Sequence, residues 1–355
     1  MPHDQPALLP GPPASPRPVS WAPLVVGGVL LAMLLVAAAF AVVAAIGAFD
    51  DQASARRDVA TAGGSGKAED LIAALQAERA YSALYLLGSE DLVDVGVDSL
   101  EEATGATDEA LAAFRSEIGR AGGALTEVYT PVLSDLDAPL ADLRQRVAAW
   151  SGPRDLSQRV VDDPIYAGYT SQLDALAAAG DALVLEIDDT GLRQGAQMLN
   201  LASDQRDLVT RLGRELTLAA VSAGGALDTP DEITPVARDQ AALMSNEVEL
   251  TRLADVSDYP DAAAELADTS SMSELSSLVQ ASLEGEPIPL SEVTAMVPRG
   301  DVVQRYAAFE VAVQTRFDAR ADDIQQEAEL RRLLWIGLAA AAGVCLAITL
   351  ALLLR

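Results

Sequence analysis

Two long stretches without a charge bracket the chain. No charged residue occurs between Arg17 and Asp50, and residues 24–49 are almost wholly apolar; none occurs between Arg332 and Arg355, and residues 333–354 are apolar. A bilayer core is crossed by about 20 apolar residues as helix. The pattern therefore predicts transmembrane helices over 21–49 and 332–355. The first is too long for the apolar core of a signal peptide, and its basic flank is weak. Residues 1–20 carry seven prolines and predict a disordered tail.

Between these stretches the apolar positions recur at helical spacing. In residues 70–88, Leu75, Arg79, Ser82 and Leu86 follow one another by four, three and four, so they share a helix face on which Arg79 stands where an apolar residue belongs. In residues 192–221, Leu199, Ala202, Arg206, Val209, Gly213 and Leu216 repeat at threes and fours. Arg206 again interrupts a small and apolar seam, beside a second stripe of Leu201, Leu208 and Leu212. A long helical pattern over 107–149 is expected to break at Gly122-Gly123, Pro131 and Pro139. A turn follows at 151–153, and Pro164 is expected to open a helix with Ile165, Tyr169, Leu173, Leu176 and Leu183 on one face. A junction is expected over 188–191, a turn over 224–235, a helix near 236–256 broken at Tyr259-Pro260, short helices over 261–284, a loop over 285–289, and a charged helical stretch over 290–331, broken at 298–300 and running towards the second apolar stretch. Gly63-Gly64-Ser65-Gly66 reads as a turn or kink. No strand alternation occurs. The fold class is all-α, with antiparallel helical bundles over 50–331 between two transmembrane helices.

Charge narrows the chemistry. Fifty-two of 53 acidic and 22 of 24 basic residues lie within 50–332, leaving that part at about −30. Such a surface repels nucleic acid and anionic headgroups, so any anion site has to be a local arginine cluster. The only histidine is His3 and the only cysteine is Cys345. The folded part thus has no histidine base, catalytic triad, histidine or cysteine metal cluster, or disulfide. No phosphate loop is present, no cofactor is expected, and an enzyme is the least supported class.

The arginine helix LIAALQAERAYSALYLLG resembles the opening helix of the nitrate- and nitrite-sensing (NIT) domain. Leu75, Gln76, Glu78, Arg79, Ser82 and Ala83 fit its pattern, while Tyr81 and Ala80 depart from it. PIYAGYTSQLDALAAAGDAL is similar to a later helix of that family, and 196–223 to its second arginine helix, with Asp204, Gln205 and Arg206 at the motif positions. The resemblance runs over about 65–325. It implies two packed four-helix bundles and nitrate or nitrite held between helices by Arg79 and Arg206, with Ser82 as a supporting donor. It also implies a homodimer within a transmembrane receptor.

Two readings of the arginines stand. A guanidinium presents parallel donors to a planar oxyanion, and two arginines facing each other would be bridged by one. Alternatively Arg79 pairs with a carboxylate, for which Glu78, Asp204 and Asp207 are candidates. At the level of the chain, one expectation is a two-pass membrane receptor, both termini cytoplasmic and the large domain extracytoplasmic. It carries no output domain of its own and acts with a separate signalling kinase or receptor output protein. The other is a membrane-tethered helical protein-interaction or scaffolding module without a small-molecule ligand.

Overall fold

A computed structural model of the chain describes residues 22–87, 90–150, 159–221, 227, 229–257, 259–296 and 300–353. Among the described residues there is no strand. Ten helices follow in order: α1 (Ala22–Leu87), α2 (Glu90–Ala121), α3 (Gly123–Ala148), α4 (Arg159–Val184), α5 (Thr190–Val221), α6 (Pro230–Val256), α7 (Pro260–Leu266), α8 (Ser270–Leu283), α9 (Leu290–Met296) and α10 (Asp301–Leu353). The all-α class is as expected. The proline-rich tail and the turn at 151–153 lie outside the described residues.

The chain divides into two units. One is Asp51–Ala328; the other joins the described residues of Met1–Asp50 and Glu329–Arg355. Within the second, Phe40 and Trp335 meet edge-on, ring centroids 6.2 Å apart. α1 and α10 each contain an 18-residue window long and apolar enough to cross a membrane, with mean hydropathy 2.6 and 2.3.

The Asp51–Ala328 unit has two hydrophobic cores. The first gathers Leu71, Leu75 and Leu86 of α1 with residues of α2, α3 and α4, including Phe114 and Tyr129 packed edge-to-face at 4.8 Å. The second is built by α5, α6, α8 and α10 with the short α7 and α9. Ala62 of α1 and Val184 of α4 also join the second core, so α1 and α4 contribute to both. α5 is buried along both of its apolar stripes, since Leu199, Leu208, Leu212 and Leu216 are all in the second core.

Several local expectations need correction. The break at Gly122-Gly123 is real: both glycines hold positive φ, 66° and 57°, which side chains with a Cβ seldom adopt. Pro131 and Pro139, however, lie inside α3. A helical proline frees the carbonyl four residues back, here on Glu127 and Asp135. Both residues are exposed, so that side of the helix is open to water, while the buried stripe from Leu125 to Val147 keeps the helix intact. α4 starts at Arg159, ahead of Pro164. α6 starts at Pro230, six residues before the expected start, because proline suits the first helical position and the Thr229 N–H donates to Glu232 Oε2 at 3.2 Å. Gly63-Gly64-Ser65-Gly66 neither turns nor ends α1. Gly64 instead lets Leu125 of α3 pack onto the helix backbone where a Cβ would collide.

Candidate functional site

Consecutive residues on α1 point to different partners, because neighbours on a helix are about 100° apart. Glu78, fully buried, turns to α3. Arg144 closes on it with two bonds, Nε to Oε1 at 2.8 Å and Nη2 to Oε2 at 2.9 Å, and the Tyr169 phenol donates to Oε1 at 2.9 Å. Arg144 Nη1 also reaches Asp108 at 2.8 Å. These carboxylates raise the pKa of Arg144, Glu78 first, against the opposing effect of burial. Ser82 is buried, with its hydroxyl beside the Tyr169 phenol.

Arg79, with no exposure, turns to α4 and α5. Its Nη2 pairs with Asp207 Oδ1, its Nη1 donates to Thr170 Oγ1 at 2.9 Å, and its guanidinium carbon lies 4.6 Å from the centre of the Tyr166 ring. Its Nε has no hydrogen-bond partner among the described residues. Asp207 is shared: Arg211 Nε, one turn further along α5, lies 2.7 Å from its other oxygen. Gln76 adds a neutral tie from α1 to α5, donating to the Ser203 carbonyl at 3.0 Å.

Arg206 turns to the other side of α5. Its Nε lies 2.8 Å from Glu310 Oε1 on α10, in a pair that is nearly buried on both sides. Glu69 of α1 lies close to this pair. It is 8% exposed, and its Oε2 has no hydrogen-bond partner among the described residues. Burial, followed by the charge of Glu310, pushes Glu69 up to about 8. Burial also raises Glu310, against the pull of Arg206.

The structure thus gathers Arg79 and Arg206 at one level of α5 without bringing them face to face. Each guanidinium meets a carboxylate, and for Arg79 it is Asp207, one of the three candidates. Ser82 belongs to the neighbouring Glu78–Tyr169 group instead. Sequence reasoning missed Arg144, Thr170, Tyr166 and Glu310, which lie 66 to 104 residues from their partners along the chain and leave no local sign. Arg211 was accessible, as Asp207 and Arg211 stand at the i,i+4 spacing of a helical ion pair. Among the described residues no group of three or more histidine, cysteine, aspartate or glutamate side chains could hold a metal ion.

The family described as nitrate and nitrite sensing (NIT) matches residues 70–326. Among solved structures, the NasR transcription antiterminator is similar in fold, with a TM-score of 0.55 and 14% identity over 84% of this chain and 79% of that one. No curated protein sequence matches the chain.

Proposed function

This chain belongs to the nitrate- and nitrite-sensing family, and on that premise we propose that it is a membrane-anchored receptor in which nitrate or nitrite exchanges with carboxylates at Arg79 and Arg206. The observation that carries the reading is the double tie made by two adjacent residues of α5. Asp207 holds Arg79 of α1, and Arg206 is held by Glu310 of α10. Among the described residues, α1 and α10 are also the two helices with membrane-length apolar windows.

A planar oxyanion fits the fork of a guanidinium as a carboxylate does. When it takes the place of Asp207 on Arg79, Asp207 keeps the neutralising charge of Arg211, so the exchange leaves no buried carboxylate alone. When it takes the place of Glu310 on Arg206, Glu310 can take up a proton, toward which its burial already biases it. Each exchange releases a bond between α5 and a long helix, and a ligand that binds the released arrangement better shifts the equilibrium toward it. For nitrate, four heavy atoms at about −1.5 kcal/mol each limit binding to roughly −6 kcal/mol, a Kd of tens of micromolar.

In this reading residues 50–331 stand outside the cytoplasm, both termini lie inside, and the receptor works as a homodimer with a separate signalling kinase or output protein. The test is calorimetric titration of the full chain in nanodiscs with sodium nitrate and sodium nitrite, beside Arg79→Gln. Saturable heat in the wild type and its loss in the variant, at unchanged helix content, supports the reading. Binding that persists in Arg79→Gln removes Arg79 from the site. Heat from neither anion turns the assignment to a tethered helical interaction module, which the exposed Met244 and Val248, one turn apart on α6, would favour.

A further inference from the structure

Arg79 has no surface of its own, but two of its neighbours do. Tyr166 and Thr170 line an open groove of about 410 Å³ formed by α4, α5 and the start of α6. Arg211 and Arg214 stand at i and i+3 on α5 in the same groove. The Arg214 guanidinium lies 4.4 Å from the centre of the Tyr166 ring, the ring that Arg79 also contacts. Asp207 joins the inner arginine to the outer one, Oδ1 on Arg79 and Oδ2 on Arg211. Arg79 and Arg214 thus lie against the Tyr166 ring and Arg79 and Arg211 share Asp207; Arg79 is fully buried, Arg211 lines the groove, and Arg214, its side chain 8% exposed, pairs there with Glu215.

Charge favours the same place. Arg211, Arg214 and Arg238 in the groove face Asp174, Glu215 and Asp239, which makes the lining neutral in a part of the chain at about −30. A small anion meets less opposition here than at three other pockets of the domain, whose linings are net acidic. The Tyr166 hydroxyl is buried and has no hydrogen-bond partner among the described residues. Burial holds that phenol protonated, up to about 12, so it stays a donor at neutral pH. At about 30 Å³ per water, the groove has room for an anion with part of its hydration shell.

We infer that this groove is the entrance and outer half of the anion site, where Arg211 and Arg214 receive a small planar oxyanion and pass it across Tyr166 to Arg79. The inference rests on the reading of Arg79 as an anion-binding residue and adds the route and two further binding residues to it. In sequence, an anion bound at Arg214 and Arg211 competes for the Arg211 contact to Asp207. The anion then moves to Arg79, and the Arg211 it leaves neutralises the displaced Asp207.

Nitrate binding to the full chain in nanodiscs would be followed by calorimetry and by stopped-flow tryptophan fluorescence, for wild type, Arg211→Gln, Arg214→Gln, Arg214→Lys and Tyr166→Phe. A charge-assisted hydrogen bond is worth enough for Kd to rise about tenfold in each glutamine variant. The association rate falls more than the dissociation rate rises. Arg214→Lys, which keeps the charge but loses the planar fork, recovers the association rate while Kd stays raised. Nitrate binding abolished by Arg79→Gln but unchanged in Arg211→Gln and Arg214→Gln overturns the groove and leaves the receptor reading standing. No nitrate binding by the wild type overturns the receptor reading itself. If a glutamine variant loses helix content, Arg214→Lys and Tyr166→Phe decide: a wild-type Kd in both overturns the inference.

Discussion

The carboxylate of Glu78 has no exposure and is held by three donors, two from Arg144 and one from Tyr169. Removing one partner of such a buried pair leaves the other charge without solvent or counter-charge, which costs about 3–5 kcal/mol. Arg144→Met should therefore lower stability by about that much, while Arg252→Met, which removes an exposed α6 pair with Glu249, should leave it nearly unchanged. Thermal unfolding of the full chain followed by circular dichroism checks both; equal small effects would show that Glu78 is rehydrated or protonated at little cost. Arg79 was readable in the sequence as a charge on the apolar face of α1, and Glu78 only as its neighbour in the family motif and a candidate partner. Where each of them goes was only partly readable. Asp207 could be named for Arg79 because it lies on the second arginine helix. Arg144 could not be named for Glu78, because it sits on the exposed side of a leucine stripe that looks like any other solvated helix face.

α5 carries apolar positions on both of its stripes and has polar ties to α1, α6 and α10, through Ser203, Gln205 and Arg206 respectively. This is why the sequence left its core-facing stripe undecided: a helix with neighbours on every side has no single buried face. The helix-ending prolines failed as signals for a related reason, since the buried stripe of α3 outweighs the bonds that Pro131 and Pro139 remove. Where α1 and α10 meet α5, Glu69 and Glu310 bring two buried carboxylates to one arginine, with Ser203, Asp204 and Tyr129 as the other polar neighbours of Glu69. A carboxyl raised from 4.5 to about 8 in the folded state binds a proton that the unfolded chain has released. The fold is therefore unpenalised below about pH 4.5. It loses stability as pH rises from there to 8, and pays the full penalty above 8, on the order of a few kcal/mol. Glu69→Gln should match the wild type near pH 5 and exceed its stability at pH 8.5, measured as the difference in melting temperature at the two pH values. A difference that does not change with pH would mean that Glu69 is ionised throughout.

For the molecule as a whole, the question is whether an exchange of ion partners at Arg79 and Arg206 is felt along the helices that bear them. The two apolar stretches were legible in the sequence from the spacing of charges alone. Their continuity with the functional helices was legible in part: the charged helical stretch over 290–331 runs towards the second apolar stretch, whereas Gly63-Gly64-Ser65-Gly66 read as a turn or kink in the helix that follows the first. In the structure α1 is one helix from Ala22 to Leu87 and α10 one helix from Asp301 to Leu353, so Arg79 shares a helix with the first apolar stretch and Glu310 with the second. A helix transmits a change at one end because its backbone bonds are renewed at every residue, and an element with two arrangements biased by ligand is what coupling between distant sites requires. Cys345 lies on the second stretch, is exposed, and is the only cysteine in the sequence, so a nitroxide attached there reports on α10 without background. In nanodiscs, nitrate at about ten times its Kd should change the spectrum of that label in the wild type and leave it unchanged in Arg79→Gln. Glu310→Gln, which weakens the tie between α5 and α10 without touching Arg79, should still bind nitrate and show a smaller change. A label that responds equally in Glu310→Gln and wild type would mean that the signal reaches α10 by contacts other than the Arg206–Glu310 pair. A wild-type label that does not respond at saturating nitrate would mean that binding is not transmitted to α10 at all.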